Sequence, residues 1–456
     1  MTFTRKCLII CASCLAANAC REPQTFPGNE LDERLSGGAN TVFDATSKAF
    51  GHEFPGLSGY DLHVHDLGDA QFEQTFVAAP AAVNSGLGPI YNNVSCISCH
   101  HNDGIGTPTA GDPQSSLLIR ISQPGAGEHG EPLSVPGYGG QFQDKATLGT
   151  TPEGRVGISY SYQSFSFPDG QPYELRSPVY VLGGLYAGGG GFLLSPRLAP
   201  PVFGLGLLEA VPESEILARA DADDADRDGI SGRPNYVWDP VSQSVVLGRF
   251  GWKANVASLL AQTAGAYSQD MGITNRIFPD ESSAGQPQYD HLEDDPELSD
   301  SLLDAVAFYV RTLAVPARRD ITGAAVLLGK QLFTRARCSG CHVETLTTGV
   351  DVRFPALSHQ TIHPYTDLLL HDMGPGLADN RPDFLATGAE WRTAPLWGLG
   401  LYDIVNHPAY YLHDGRARTL VEAIMWHGGE ATASRDFFGA LSPADRDALL
   451  AFLQSL

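Results

Sequence analysis

The sequence predicts a mainly α-helical chain of two similar units in tandem, and three observations carry that expectation. A Cys-x-x-Cys-His motif occurs twice, as Cys96-Ile97-Ser98-Cys99-His100 and Cys338-Ser339-Gly340-Cys341-His342. Apolar residues at helical spacing follow each motif at a distance: Leu302, Leu303, Val306, Val310 and Leu313 after the first, and Leu449, Leu450, Phe452, Leu453 and Leu456 after the second. The two intervals stand at roughly two to one, so the first unit should carry a large insertion.

The motifs define the chemistry. Two thiols at this spacing can each form a thioether to one haem edge, and the adjacent His then reaches the iron as proximal ligand. A zinc site or a thioredoxin-like dithiol is the bland alternative, but neither needs two motifs each followed by His. With 8 Cys and 14 His in 456 residues, one such motif arises by chance only roughly 0.004 times. Cys7, Cys11, Cys14 and Cys20 cluster at the N-terminus, and the other four cysteines all belong to the motifs. Two covalently bound haem c groups follow, with Cys96, Cys99 and His100 holding one and Cys338, Cys341 and His342 the other.

The fold class then reads as two cytochrome c-like haem domains in tandem. The first spans residues 47–315, with a loop and short-strand insertion at about 160–298. The second spans 316–456. Residues 323–333 form a plausible helix ahead of Cys338. Ser442-Pro443-Ala444-Asp445 suits the start of the last helix, with Ser as N-cap and Pro at N1. The 50 glycines and 31 prolines place many turns between such elements.

The N-terminus reads as an export signal over residues 1–19. Arg5 and Lys6 precede an apolar stretch, residues 7–17, that is too short to span a bilayer. Ala17-Asn18-Ala19-Cys20 resembles a bacterial lipobox, although Leu is usual where Ala17 stands. Cys20 would carry the lipid and residues 20–46 would be a tether. Ordinary cleavage beyond Cys20 is the alternative. The expected location is the periplasm or cell envelope, with membrane contact only through that lipid. A formal charge of −23, from 52 acidic and 29 basic residues, argues against nucleic acid as partner and favours a basic or neutral one.

Asp224-Ala225-Asp226-Arg227-Asp228-Gly229 matches the first half of a calcium loop, with Asp224, Asp226 and Asp228 as ligands. Asn235 stands where a bidentate Glu would complete it, and an acidic surface turn is the alternative.

Several separated motifs carry a family resemblance: Asp367-Leu368-Leu369-Leu370-His371-Asp372-Met373-Gly374, Trp391-Arg392-Thr393-Ala394-Pro395-Leu396-Trp397, His413-Asp414-Gly415-Arg416 and Trp426-His427-Gly428-Gly429-Glu430-Ala431. With the two haem motifs, they resemble the dihaem oxidoreductase branch of the bacterial dihaem cytochrome c peroxidase superfamily. The resemblance covers about residues 43–456. It implies an oxidoreductase, peroxidase-like, in which a six-coordinate second haem passes electrons to a reactive first haem. The implied partners are an electron-donor protein or small reductant, and peroxide or another small oxidant. A carrier without catalysis is one alternative; a haem oxidase acting on a protein or organic substrate is another.

In the peroxidases a Met near the end of the helix after Asp-Gly is the second haem's distal ligand. Counting from Thr419 puts His427 at that position, with Met425 and Met373 as alternatives. His427 would give bis-His ligation and a lower potential than His/Met. Around the first haem, Gln143 stands where the peroxidases carry a Trp, and Tyr138 is the nearest aromatic. Gln143 and Glu153 are the candidates for a catalytic distal pocket, where an amide or carboxylate could move a proton; a loop contact is the alternative for both. His129 could cap the first iron in a resting state, but in Gly127-Glu128-His129-Gly130 it reads as a surface residue. His63, His65, His363, His371 and His413 are unranked candidates for propionate contacts.

Overall fold

The computed structural model describes residues 30–112, 115–187 and 190–456. The expected signal peptide, Cys20 and the first part of the expected tether lie outside the described residues. Six helices position the site: α1 (Gly59–Glu73), α2 (Leu259–Met271), α3 (Asp300–Thr312), α4 (Ala324–Arg335), α5 (Leu420–Trp426) and α6 (Pro443–Ser455). The strands around it are β1 (Leu117–Ala126), β2 (Arg155–Ser166), β3 (Pro172–Gly183), β4 (Leu193–Leu198), β5 (Leu370–Asp372) and β6 (Glu390–Arg392).

Helices pair twice in the same way, α1 on α3 and α4 on α6. Each crossing is centred on a glycine. A Cβ on Gly68 would lie 2.2 Å from the Ala305 carbonyl oxygen and 2.7 Å from Tyr309 Cβ. One on Gly329 would lie 2.0 Å from the Ala448 carbonyl oxygen and 2.7 Å from Phe452 Cβ. One turn beyond each glycine stands a phenylalanine that reaches a motif histidine. The Phe72 and His100 ring centroids are 6.1 Å apart, and those of Phe333 and His342 are 6.4 Å apart.

The chain is not the mainly α tandem that the sequence predicts. Helix takes 28% of it and strand 20%, in several small sheets. The difference lies largely in the interval after the first motif. There β2 and β3 form an antiparallel ribbon whose ladder runs from Arg155↔Gly183 to Ser166↔Pro172, and β1 pairs with β4 from Leu117↔Leu198 to Ser122↔Leu193. The physical cause is readable in β2: Val156, Ile158, Tyr160 and Tyr162 alternate with Gly and Ser, a period-2 pattern that favours a half-buried strand over loop. α2 lies in the same interval, capped by Ser258 Oγ accepting from Ala261 N at 3.2 Å and ended by Gly272 at φ 69°.

One apolar cluster joins residues from both halves, among them Phe50, Phe203 and Leu313 with Trp397, Tyr365 and Phe452. The N-terminal segment is woven into it. Thr41 and Val42 pair in parallel with Val315 and Pro316. The fully buried Glu33 meets Arg318, Lys330 and the Tyr365 hydroxyl, the last at 2.9 Å. No helix among the described residues is long and apolar enough to cross a membrane.

The crossings predict a sign. Gly→Ala in a helix interior gains about 1 kcal/mol from propensity alone. At Gly68 or Gly329 the added methyl meets a backbone carbonyl that cannot swing aside, so each substitution should instead lower stability by about 1–3 kcal/mol. Urea unfolding of Gly68→Ala and Gly329→Ala measures this; a raised midpoint would show that the helices do not approach so closely.

Candidate functional site

Both motifs open on one cavity of about 440 Å³. The first follows α1, tied to it by Ile97 N donating to the Phe72 carbonyl at 3.3 Å. His100 Nδ1 donates to the Pro200 carbonyl at 2.7 Å, which leaves Nε2 as a free lone pair. Burial takes this imidazole down to about 4, partly opposed by that hydrogen bond, so it is neutral at pH 7. Asn93 Nδ2 donates to Cys99 Sγ at 3.4 Å. Burial pushes the Cys96 thiol up and the Cys99 thiol up to about 12.

The second motif repeats this chemistry. His342 Nδ1 donates to the Tyr365 carbonyl at 3.0 Å, and burial takes the ring down to about 4. Burial raises the Cys338 thiol to about 12. Two residues from one chain turn join it in the cavity wall: His427, just past the end of α5, and Glu430. His427 Nδ1 donates to the Ala423 carbonyl at 2.8 Å, and burial lowers its proton affinity. Met373 also lines the cavity; Met425 does not, and its methyl end lies toward Gly439.

This donor set fits haem. Two thiols, none of them in a disulfide, and a neutral imidazole pinned by a carbonyl line the cavity at each motif, and the other ring nitrogen is left available as a donor atom. The walls are mainly apolar, with Phe72, Ile105, Val306, Phe333, Leu420 and Leu453 among the lining residues.

Other residues singled out in the sequence fall in different places. Gln143 and Glu153 are buried together but do not line the cavity. Glu153 Oε2 accepts from Gln143 N at 2.6 Å and Oε1 from Gln286 Nε2 at 3.2 Å, and burial raises its carboxyl to about 8. Tyr138 packs with Phe142, Tyr186 and Phe192, and His129 stacks on Trp238 at 3.8 Å; neither lines the cavity. His63 is exposed, His65 bonds Thr312 Oγ1 at 2.8 Å and His363 meets Thr345 Oγ1 at 3.1 Å. His413 does line the cavity, stacked on Trp391 at 3.6 Å. In the acidic loop, Asp221 joins Asp224 and Asp226, while Asp228 pairs with Arg337 at 2.5 Å. The sequence reading missed α2, which presents Gln262, Thr263 and Ala266 to the cavity. Its signal was Ser258 as a cap, with Gly272 thirteen positions after the first helical residue, Leu259.

His371 is held differently from the motif histidines. Its Nε2 meets Asp367 Oδ2 and its Nδ1 meets Glu430 Oε2, both at 2.8 Å, with Cys341 Sγ at 3.4 Å from Nδ1. Burial alone would pull the ring down, but the bonds to Asp367, Cys341 and Glu430 outweigh it and raise it to about 12. Both nitrogens are engaged, so this ring is an imidazolium and not an iron ligand. Burial also works against the Glu430 carboxylate, yet bonds from His371, Ser231 and the Asp372 backbone hold it at about 2. A carboxylate depressed on folding contributes stability that is full above its ordinary value near 4.5 and is lost as pH falls toward 2. Glu430→Gln should therefore cost about 1–3 kcal/mol at pH 7, and the gap to the parent should narrow between pH 4.5 and 2. Denaturant unfolding across that range checks it; a gap independent of pH would refute the ion pair.

The sequence matches the family described as "Di-haem oxidoreductase, putative peroxidase" over residues 31–456. No curated protein matches. Among solved structures, Kuenenia stuttgartiensis hydrazine synthase, pressurized with xenon, is similar at 15% identity with a TM-score of 0.35, covering 98% of this chain and 100% of that one. A likeness of that degree supports no argument about fold or activity. With two thiol–imidazole sets facing one cavity and a family match over nearly its whole length, the chain belongs to the di-haem oxidoreductases, haem enzymes of peroxidase kind.

Proposed function

We propose that the chain is an exported c-type oxidoreductase that takes electrons at its His342 end and delivers them to a small oxidant, such as peroxide, at its His100 end. The carrying observation is that two Cys-x-x-Cys-His motifs share one cavity, each His pinned through Nδ1 by a backbone carbonyl. Haem, when bound, supplies iron that changes oxidation state. The chain's part is to fix it by thioethers at Cys96 and Cys99 and at Cys338 and Cys341, and to offer Nε2 of His100 and His342 as ligands.

His427 is the proposed second ligand at the His342 end. Its Nδ1 is tied to Ala423, so Nε2 is the free atom, and the ring lies in the wall of the same cavity. That end would then be six-coordinate and suited to electron entry. The electron donor is a protein or small reductant, and the chain's net charge of −23 favours a basic or neutral one. Gln143 and Glu153, apart from the cavity, would act on the chemistry only by bracing the loop that follows the first motif.

A pyridine haemochrome assay should give two haems that acid acetone does not extract, and Cys338→Ala with Cys341→Ala should leave one. His427→Gly should keep both haems, turn the second high-spin and slow peroxide turnover by about 10–100-fold. An unchanged low-spin EPR signal from that haem would put the ligand elsewhere, with Met373 next in line. A first haem that stays low-spin and inert to peroxide in every redox state would make the chain a carrier.

Export and lipid attachment at Cys20 complete the reading, supported by the basic start, the short apolar stretch and Ala17-Asn18-Ala19-Cys20. Cys20→Ser should release the protein from the membrane fraction. A mature N-terminus found beyond Cys20 would leave export by ordinary cleavage.

A further inference from the structure

We propose that Arg120, backed by Arg197, is a carboxylate-binding wall at the His100 end of the cavity, engaging a propionate of the haem held there or the carboxylate of a small substrate. This rests on the haem reading above. In the β1–β4 pair, Arg197 lies opposite Leu118 and Ser195 opposite Arg120, so all four side chains share one face. Leu118, Arg120 and Arg197 line the cavity.

The two guanidiniums differ in what they already hold. Arg197, only 7% exposed, donates to Ser195 Oγ at 3.1 Å, to Asp383 Oδ2 at 2.7 Å and to Asn255 Oδ1 at 3.4 Å. Asp383 serves Arg381 as well, at 3.1 Å. Arg120 has five N–H donors and, among the described residues, one side-chain hydrogen bond, to the neutral Gln269 Oε1. The nearby carboxylate of Asp270 accepts instead from Gln141 Nε2 at 2.8 Å.

Four cations, Arg120, Arg197, Arg381 and Lys253, thus stand among three carboxylates, those of Asp270, Asp379 and Asp383. Surplus positive charge in a wall with little water is costly unless an anion neutralises it. Peroxide is uncharged at neutral pH and cannot. A planar carboxylate can accept two parallel N–H bonds from one guanidinium. A haem carries two carboxylates that need such partners in a cavity lined mainly by apolar surface.

Arg120→Gln and Arg120→Lys test the assignment, because Arg120 holds little else in place. If the ligand is a propionate, Arg120→Gln should keep two haems, lower the first haem's reduction potential and shift its propionate bending band in resonance Raman. The second haem's band should not move, and Arg120→Lys should shift the first only part of the way. If the carboxylate comes from solution, the band stays in place, and formate perturbs the first haem's absorption in the parent protein but not in Arg120→Gln. A band and a formate response identical in Arg120→Gln and the parent would overturn the proposal. Failure of the underlying haem reading is separately visible, as fewer than two haems in the unaltered chain.

Discussion

Helix lies on helix with no side chain between them at Gly68 and at Gly329, and much of the molecule follows from those two contacts. Each crossing brings a helix that precedes a haem motif against a helix that closes its half of the chain. Because the backbones touch there, the side chain one turn further on is fixed in depth. Phe72 packs against Tyr309 at 5.3 Å and Phe333 against Phe452 at 5.2 Å, and each then stands beside the imidazole of its motif. A larger residue at either glycine would push the helices apart and move the ring that sets the imidazole's position. The loss of helix propensity at glycine is small beside what that close approach positions.

Around the cavity, most polar groups are kept either neutral or paired, and Arg120 is the exception. His100, His342 and His427 each spend one ring nitrogen on a backbone carbonyl, which fixes the tautomer and turns the other nitrogen outward. Burial raises the proton affinity of all four thiols. Charge is concentrated instead in a few places. One is the His371 imidazolium between Asp367 and Glu430, and another is Lys253, fully buried on Asp379 at 2.8 Å with its ammonium 4.4 Å over Trp391. Trp391 is thus clasped between that cation and the stacked ring of His413.

What the sequence revealed was what depends on neighbours along the chain. Two thiols and an imidazole within five residues announce their chemistry, and Ser442-Pro443 and Thr419 announce helix starts that the structure contains. The α3 and α6 stretches were legible from helical spacing alone. The Gly68–Phe72 pair was not, because Phe72 lies 24 positions ahead of Cys96, whereas Phe333 stands close before Cys338. Sheet content was underestimated where glycine and proline suggested loops; the alternation along β2 was the stronger signal. Gln143 and Glu153 were read as distal-pocket candidates from the resemblance to the peroxidases; packing sets the Glu153 carboxylate on Gln143 N and Gln286 Nε2, and the Gln143 amide on the Gln269 carbonyl. Arg120 and Arg197 share a face only through the register of two strands about 75 residues apart, which no local pattern specifies.

The burial of Glu33 makes the N-terminal segment a clamp across the two halves of the chain. Its carboxylate meets Arg318, Lys330 and the Tyr365 hydroxyl, while Thr41 and Val42 pair with Val315 and Pro316. A pull on the chain ahead of Glu33 would load the contact with Arg318 before it reached either helix crossing, so the segment would resist as part of the folded body.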